Sequence, residues 1–174
     1  QGIVARFGEA ESALLQPLSD AIATAREAGA LVVYVRVAFR AGAPESSVRN
    51  RSFAALAGRD DLQDGDEGTQ VHPAVAPGAA DPVVVKKRVS AFTGSDLEVL
   101  LRSREIDTLI LTGIATSGVV LSTLREAADR DYRLAVLSDC CLDADAEVHR
   151  VLTEKVFPRQ ADVLTAAELR GRLS

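Results

Sequence analysis

The sequence predicts an α/β protein with a doubly wound, mostly parallel sheet and helices on both faces. Three observations carry this. Short apolar runs at 31–39, 82–86, 109–111, 133–137 and 161–164 lack polar alternation, as strands covered on both faces do. Segments with apolar residues at helical spacing separate these runs. The stretch from Thr108 to Arg130 reads as strand, small-residue turn and helix in direct succession. That order puts the turn at the carboxyl end of a parallel strand, where open α/β sheets hold their ligands.

Pro17 suits the first turn of a helix, and Leu18, Ala21, Ile22, Ala25 and Ala28 supply its apolar face. Gly29 follows as a C′ residue. Leu31–Phe39 is rich in β-branched residues and reads as a buried strand. A βαβ unit requires a strand before that first helix. The opening residues 1–8 offer only Ile3, Val4 and Phe7, so a first strand is expected ahead of Gln1. One domain over 1–174 is expected otherwise, with no repeat or linker.

Residues 40–81 are looser. Residues 47–56 suit a short helix, and 60–68 form an acidic, solvated loop whose carboxylates have the wrong spacing for calcium. His72, before Pro73, reads as a loop residue. The next strand ends in Lys86 and Lys87, so at least one ammonium projects over the carboxyl edge of the sheet. Ser95 and Glu98 have the spacing of a capping box, opening a helix through Leu97, Leu100 and Leu101. Val120, Leu121, Leu124, Ala127 and Ala128 form the apolar face of the following helix, with Ser117 as its cap. Ser138–Cys141 occupies the carboxyl end of the strand at 133–137. A helix over 144–156 contains His149, and Thr165 with Glu168 forms a second capping box.

The net charge of −5 gives no basic field for nucleic acid or anionic lipid, and an aromatic fraction of 4% leaves little surface for stacking bases. No apolar run is long enough to span a bilayer, and no secretory signal pattern is present. Two adjacent cysteines, Cys140 and Cys141, offer no disulfide framework, so a cytoplasmic location is expected.

Several site types fail on spacing. Gly113–Gly118 has the glycines of a phosphate loop, yet Val119-Val120 replaces the Lys-Ser/Thr pair. Gly-x-Gly-x-x-Gly is absent, and Ser117 lacks the flanks of a hydrolase nucleophile elbow. His72 and His149 have no metal-ligand spacing, so no metal or cofactor is expected. Cys140 and Cys141 read as small buried hydrophobes. Free N–H groups at the start of the helix after Gly118 suit an anion or oxyanion. A cysteine there would be activated by the helix dipole, but the chain has Val119.

Taken together, Lys86-Lys-Arg-Val-Ser-Ala-Phe92, Gly113-Ile-Ala-Thr-Ser-Gly118 and Asp139 resemble the isochorismatase-like, or cysteine, hydrolases. In that family a Lys shortly precedes Ser-Ala-Phe, a Gly-Val-x-Thr turn opens the next helix, and an Asp follows the next strand. The order and separation match over essentially the whole chain. The resemblance implies a six-stranded sheet and a site built from an Asp on the first strand, a Lys and usually a Cys. It assigns the Lys to Lys86, with Lys87 as the register alternative. It implies a cis Ile114–Ala115 peptide and Ala115 and Val119 amides facing an oxyanion, with Phe7, Phe92, Thr116 and Val119 lining the pocket. Val119 stands at the usual Cys position, and the Asp would lie ahead of Gln1. Members without the cysteine cleave a vinyl ether with the Asp as proton donor. The resemblance further implies a small-molecule substrate and a homo-oligomer. Three readings follow: a hydrolase without a covalent thioester, a non-catalytic binding or assembly subunit, and a cysteine-dependent amidase.

Overall fold

Alternation along β4 (Arg133–Leu142) shows how the layers arise. Leu134 and Val136 point to one face and pack with helices α3 (Leu97–Ser103) and α4 (Leu121–Ala128). Ala135 and Leu137 point to the other face, against α1 (Glu9–Glu27) and α6 (Ala166–Leu173). Successive side chains of a strand leave on opposite sides, so a strand apolar at every position needs a helical layer on each face. This is the three-layer α/β arrangement. The computed structural model describes residues 9–57, 59 and 61–173.

Among the described residues the strands number five rather than six, in two parallel sheets. β1 (Tyr34–Val37) pairs with β2 (Val83–Lys86), joining Val37 to Lys86 at the carboxyl end. β3 (Thr108–Ile114), β4 and β5 (Asp162–Leu164) form the second sheet in that order. The two sheets share a core in which Val84 of β2 joins Val120, Val136, Leu152 and Phe157. The sixth expected strand, like Phe7, lies outside the described residues.

Several elements differ from expectation. Pro17 lies inside α1 rather than in its first turn. Proline removes one helical donor, but Leu14, one turn earlier, is 5% exposed and anchors the added turns to the core. Gly29 does terminate the helix, with φ +72° and with Ala30 N–H bonded to the Ala25 carbonyl. The short helix α2 (Arg51–Ala57) starts there because the Asn50 side chain accepts the Phe53 N–H at 3.2 Å and caps it. At α3 no reciprocal capping box forms. Ser95 Oγ accepts the Leu97 N–H, while Glu98 pairs with Arg102 and Arg130 instead. At α6 the reciprocal box does form, Thr165 N–H to Glu168 and Glu168 N–H to Thr165 Oγ1.

The acidic segment after α2 is only partly solvated. Leu62 is 2% exposed and packs with Phe39 and Phe53, while Gln63 bridges to Phe39 in parallel. An apolar residue within a run of carboxylates is easily passed over in the sequence, yet it draws the loop onto the end of β1. β4 runs to Leu142, past the expected end at Leu137, because five positions along it match two along β3 between Leu111 and Gly113. Ser138–Cys140 therefore forms a bulge inside the strand.

Leu124 is completely buried and Val99 is 71% exposed. Leu124→Ala should cost about 2–5 kcal/mol in denaturant titration, and Val99→Ala less than about 0.5 kcal/mol. Equal losses at the two sites would contradict the placement of the core.

Candidate functional site

Two features meet the requirements of a site: the end of β2 and the elbow after β3. Strand alternation turns Val84 and Lys86 inward, and Lys86 is 8% exposed. Its Nζ donates to the carbonyls of Arg88, at 2.5 Å, and Val89, at 3.0 Å, and lies 5.8 Å from the centre of the Phe53 ring. Lys87 takes the opposite direction and donates to the Ala38 carbonyl at 2.6 Å. Of the two ammonium groups Lys86 is the more enclosed.

Removal of Lys86 from water disfavours its charged form, and its pKa is pushed down to about 8. No nearby charge contributes to that shift among the described residues. Among the described residues the ammonium has carbonyl dipoles and one aromatic face, but no carboxylate. Phe53 is the site residue that sequence reasoning missed. Its signal is faint, an aromatic on the inner side of a seven-residue helix, and the T-shaped contact with Phe39 that fixes it joins distant segments.

The elbow follows the 3.6-residue logic imperfectly. Thr116–Val120 forms a wide π turn before α4, closed by the Ala115 carbonyl accepting from Gly118 and Val120. Gly113 has φ +131°, a conformation open to glycine and strained for other residues. The Ile114–Ala115 peptide is cis. The Ser117 side chain caps nothing here. Its backbone N–H instead donates to Asp143 Oδ2 at 2.7 Å. Burial would raise the Asp143 carboxyl, but the hydrogen bonds it accepts from Ser117 and its own loop outweigh this and hold it low.

The expected pocket residues separate. Val119 is partly buried against the main core, in the same cluster as its neighbour Val120. Thr116 is fully buried and its hydroxyl meets His149, so it stands behind the elbow rather than lining a pocket. Phe92 is also core: it is 4% exposed, faces Tyr132 at 6.0 Å and carries the Arg130 guanidinium over its ring. The segment between Lys86 and Phe92 is nevertheless tied to α4, since Ala91 N–H donates to Thr123 Oγ1 at 2.9 Å. Asp139 sits in the β4 bulge and accepts the Ala166 N–H at 2.9 Å, capping α6.

The remaining nucleophiles are unsuitable. Burial pushes the Cys140 thiol up and carries Cys141 to about 12, so neither forms a thiolate near neutrality. Among the described residues no group of three or more His, Cys, Asp or Glu side chains could hold a metal. No helix there is long and apolar enough to cross a membrane.

Doubly wound α/β proteins hold small ligands at the carboxyl ends of their strands, which is where the enclosed lysine and the amide-bearing elbow lie. Residues 5–168 match the isochorismatase domain, and the chain belongs to that family. It is 40% identical over 104 residues to the isochorismatase family protein YecD of Escherichia coli O157:H7, covering 59% of this chain and 55% of that protein. The chain thus spans little more than half of that relative. It is 26% identical over 162 residues to maleamate amidohydrolase of Pseudomonas putida, covering 92% of this chain and 75% of that enzyme. A cysteine hydrolase structure from Pseudomonas syringae pv. phaseolicola superposes with a TM-score of 0.87 at 26% identity, covering 95% of this chain and 82% of that one.

The buried ammonium makes stability depend on pH in one direction. Below about pH 8 Lys86 is charged in both folded and unfolded chains, and its burial cost is constant. Between about 8 and its ordinary value of 10.5 the unfolded chain holds a proton that the folded chain has released, so folding gains stability as pH rises. Relative to Lys86→Met, the wild type should gain on the order of 2 kcal/mol between about pH 7.5 and about pH 10, read by urea titration. An unchanged difference between the two proteins would contradict the enclosure of Lys86.

Proposed function

We propose that this chain is a hydrolase of a small organic substrate, working through Lys86 and the 113–119 elbow without a covalent thiolate intermediate. The observation that carries the reading is Lys86 itself. A lysine held away from water, with carbonyls but, among the described residues, no carboxylate beside it, is poised to receive an anionic group. Family membership and the resemblance to maleamate amidohydrolase support a hydrolytic reaction on a small molecule.

In this reading Lys86 fixes the charge of a substrate carboxylate or of an acidic side chain, and the Ala115 and Val119 amides steady the oxygen that gains charge. Phe53 and Val119 supply apolar walls. We propose that an aspartate acts as general acid from a further parallel strand joining the two sheets at their unpaired edges. General acid catalysis of this kind is worth about 10²–10⁴-fold. Family resemblance also supports a homo-oligomer, which light scattering would read directly, and a cytoplasmic setting.

Val119 favours a second reading, in which the chain is a non-catalytic relative that binds small molecules or assembles with a partner. A side chain packed into the core at the family's nucleophile position contributes packing and no bond-making chemistry. The cysteine-dependent amidase reading has the least support, because neither buried thiol ionises near neutrality.

A panel of isochorismate, other vinyl ethers, amides and carbamates separates the readings. Hydrolysis by the wild type should fall at least about 100-fold in Lys86→Ala while the thermal transition and circular dichroism are preserved. Turnover retained in the folded variant would remove Lys86 from the reaction. No lysine-dependent product from any substrate would favour the binding subunit.

A further inference from the structure

The elbow is held from behind by one segment, the connection from β4 into α5 (Ala146–Val151). Asp143 takes the Ser117 N–H, and His149 Nδ1 lies 2.9 Å from the hydroxyl of the neighbouring Thr116. Thr116 is completely buried, and His149 is the hydrogen-bond partner of its hydroxyl among the described residues. A buried O–H needs an acceptor for its proton, or it carries an uncompensated desolvation cost. With the hydroxyl as donor, Nδ1 is the acceptor and the ring proton sits on Nε2.

The other surroundings of the ring are already committed. His149 shares an open cleft of about 400 Å³ with Ser138, Asp139, Arg150 and Glu154. Asp139 accepts from Ala166, Arg150 pairs with both Glu147 and Glu154, and Ser138 donates to the Leu164 carbonyl. The backbone under His149 is fixed as well, because Thr153 Oγ1 donates to the His149 carbonyl at 2.9 Å. The imidazole is thus seated between a solvent-open cleft and a sealed hydroxyl, with one acceptor available to the elbow.

We propose that His149 is a positioning residue for the reaction site: its neutral Nε2–H tautomer accepts the Thr116 hydroxyl and sets the place of the elbow amides. This rests on reading the elbow as the reaction site. His149 touches no substrate in this arrangement and acts through Thr116. Asparagine at this position would carry an amide oxygen where Nδ1 sits and would preserve the acceptor, whereas leucine would fill space without one.

Two measurements on the full chain test it. Long-range nitrogen–proton correlation spectra of the protein labelled at histidine should show His149 with Nδ1 unprotonated and Nε2 protonated, distinguishable from the other histidine, His72. A protonated Nδ1 in the neutral ring would overturn the proposal. In amide hydrogen exchange, His149→Leu should accelerate Val119 and Val120 at least tenfold relative to β4 and α6, and His149→Asn should return them to within about threefold of wild type. Equal acceleration everywhere, or no rescue by asparagine, would reduce His149 to a general stabilising contact. Where a substrate is in hand, kcat should fall about tenfold in His149→Leu with KM unchanged, and recover in His149→Asn. The spectra and exchange rates decide the proposal without turnover, so a chain that hydrolyses nothing would count against the hydrolase reading alone.

Discussion

Enclosure of the Lys86 ammonium is the constraint to which the site owes its form. A charged group removed from water must be met by dipoles, an aromatic face or an opposite charge. Here two carbonyls, Arg88 and Val89, turn back towards the end of β2, and Phe53 lies beside them. The loop bearing Leu62 is drawn in to support that aromatic through Phe39. Each of these pieces is distant from the others in sequence, and the lysine at the strand end gives them a common purpose. Its lowered pKa is the cost of that enclosure.

The second half of the site is set by backbone rather than by charge. Gly113, next to the last residue of β3, turns the chain sharply with its positive φ, and the π turn from Thr116 to Val120 widens the entry into α4. A wide turn cannot hold itself by ordinary helical bonds, and the structure supplies outside supports. Asp143 takes one N–H, and His149 meets one hydroxyl. Both belong to the chain leaving β4, whose bulge lengthens that strand and brings this connection under the elbow. The same bulge directs Asp139 to the start of α6, so one irregular stretch ties the final helix to the sheet.

Much of this was legible in the sequence, for identifiable reasons. Buried parallel strands leave unbroken apolar runs, and β3, β4 and β5 were placed from them with errors confined to their ends. The residues alone show only that at least one of two adjacent lysines at a strand end can project over the sheet edge, and the family resemblance is what points to Lys86, with Lys87 as the register alternative. Phe92 and Thr116, which the resemblance implies for the pocket, are both buried, and nearness in sequence to the lysine and the elbow says nothing about which face a side chain takes. Phe92 faces Tyr132 across the core, and Thr116 faces His149. Phe53, His149 and the supporting role of Leu62 were missed because each depends on a long-range contact that leaves no periodic mark. Pro17 misled because its local preference for a first turn was outweighed by the burial of Leu14.

Convergence of the enclosed ammonium and the elbow on one cavity is most directly tested by placing a reporter at position 119. Val119→Cys sets a thiol at the start of a helix, and a shared cavity would add the buried Lys86 cation beside it; both conditions favour the thiolate. At about pH 7 its alkylation by iodoacetamide should outpace that of the buried Cys140 and Cys141 by at least about 100-fold, and Lys86→Met should slow it about tenfold or more. Alkylation of the introduced thiol that is as slow as at the buried cysteines, or that does not change when Lys86 is replaced, would show that lysine and elbow do not share a site.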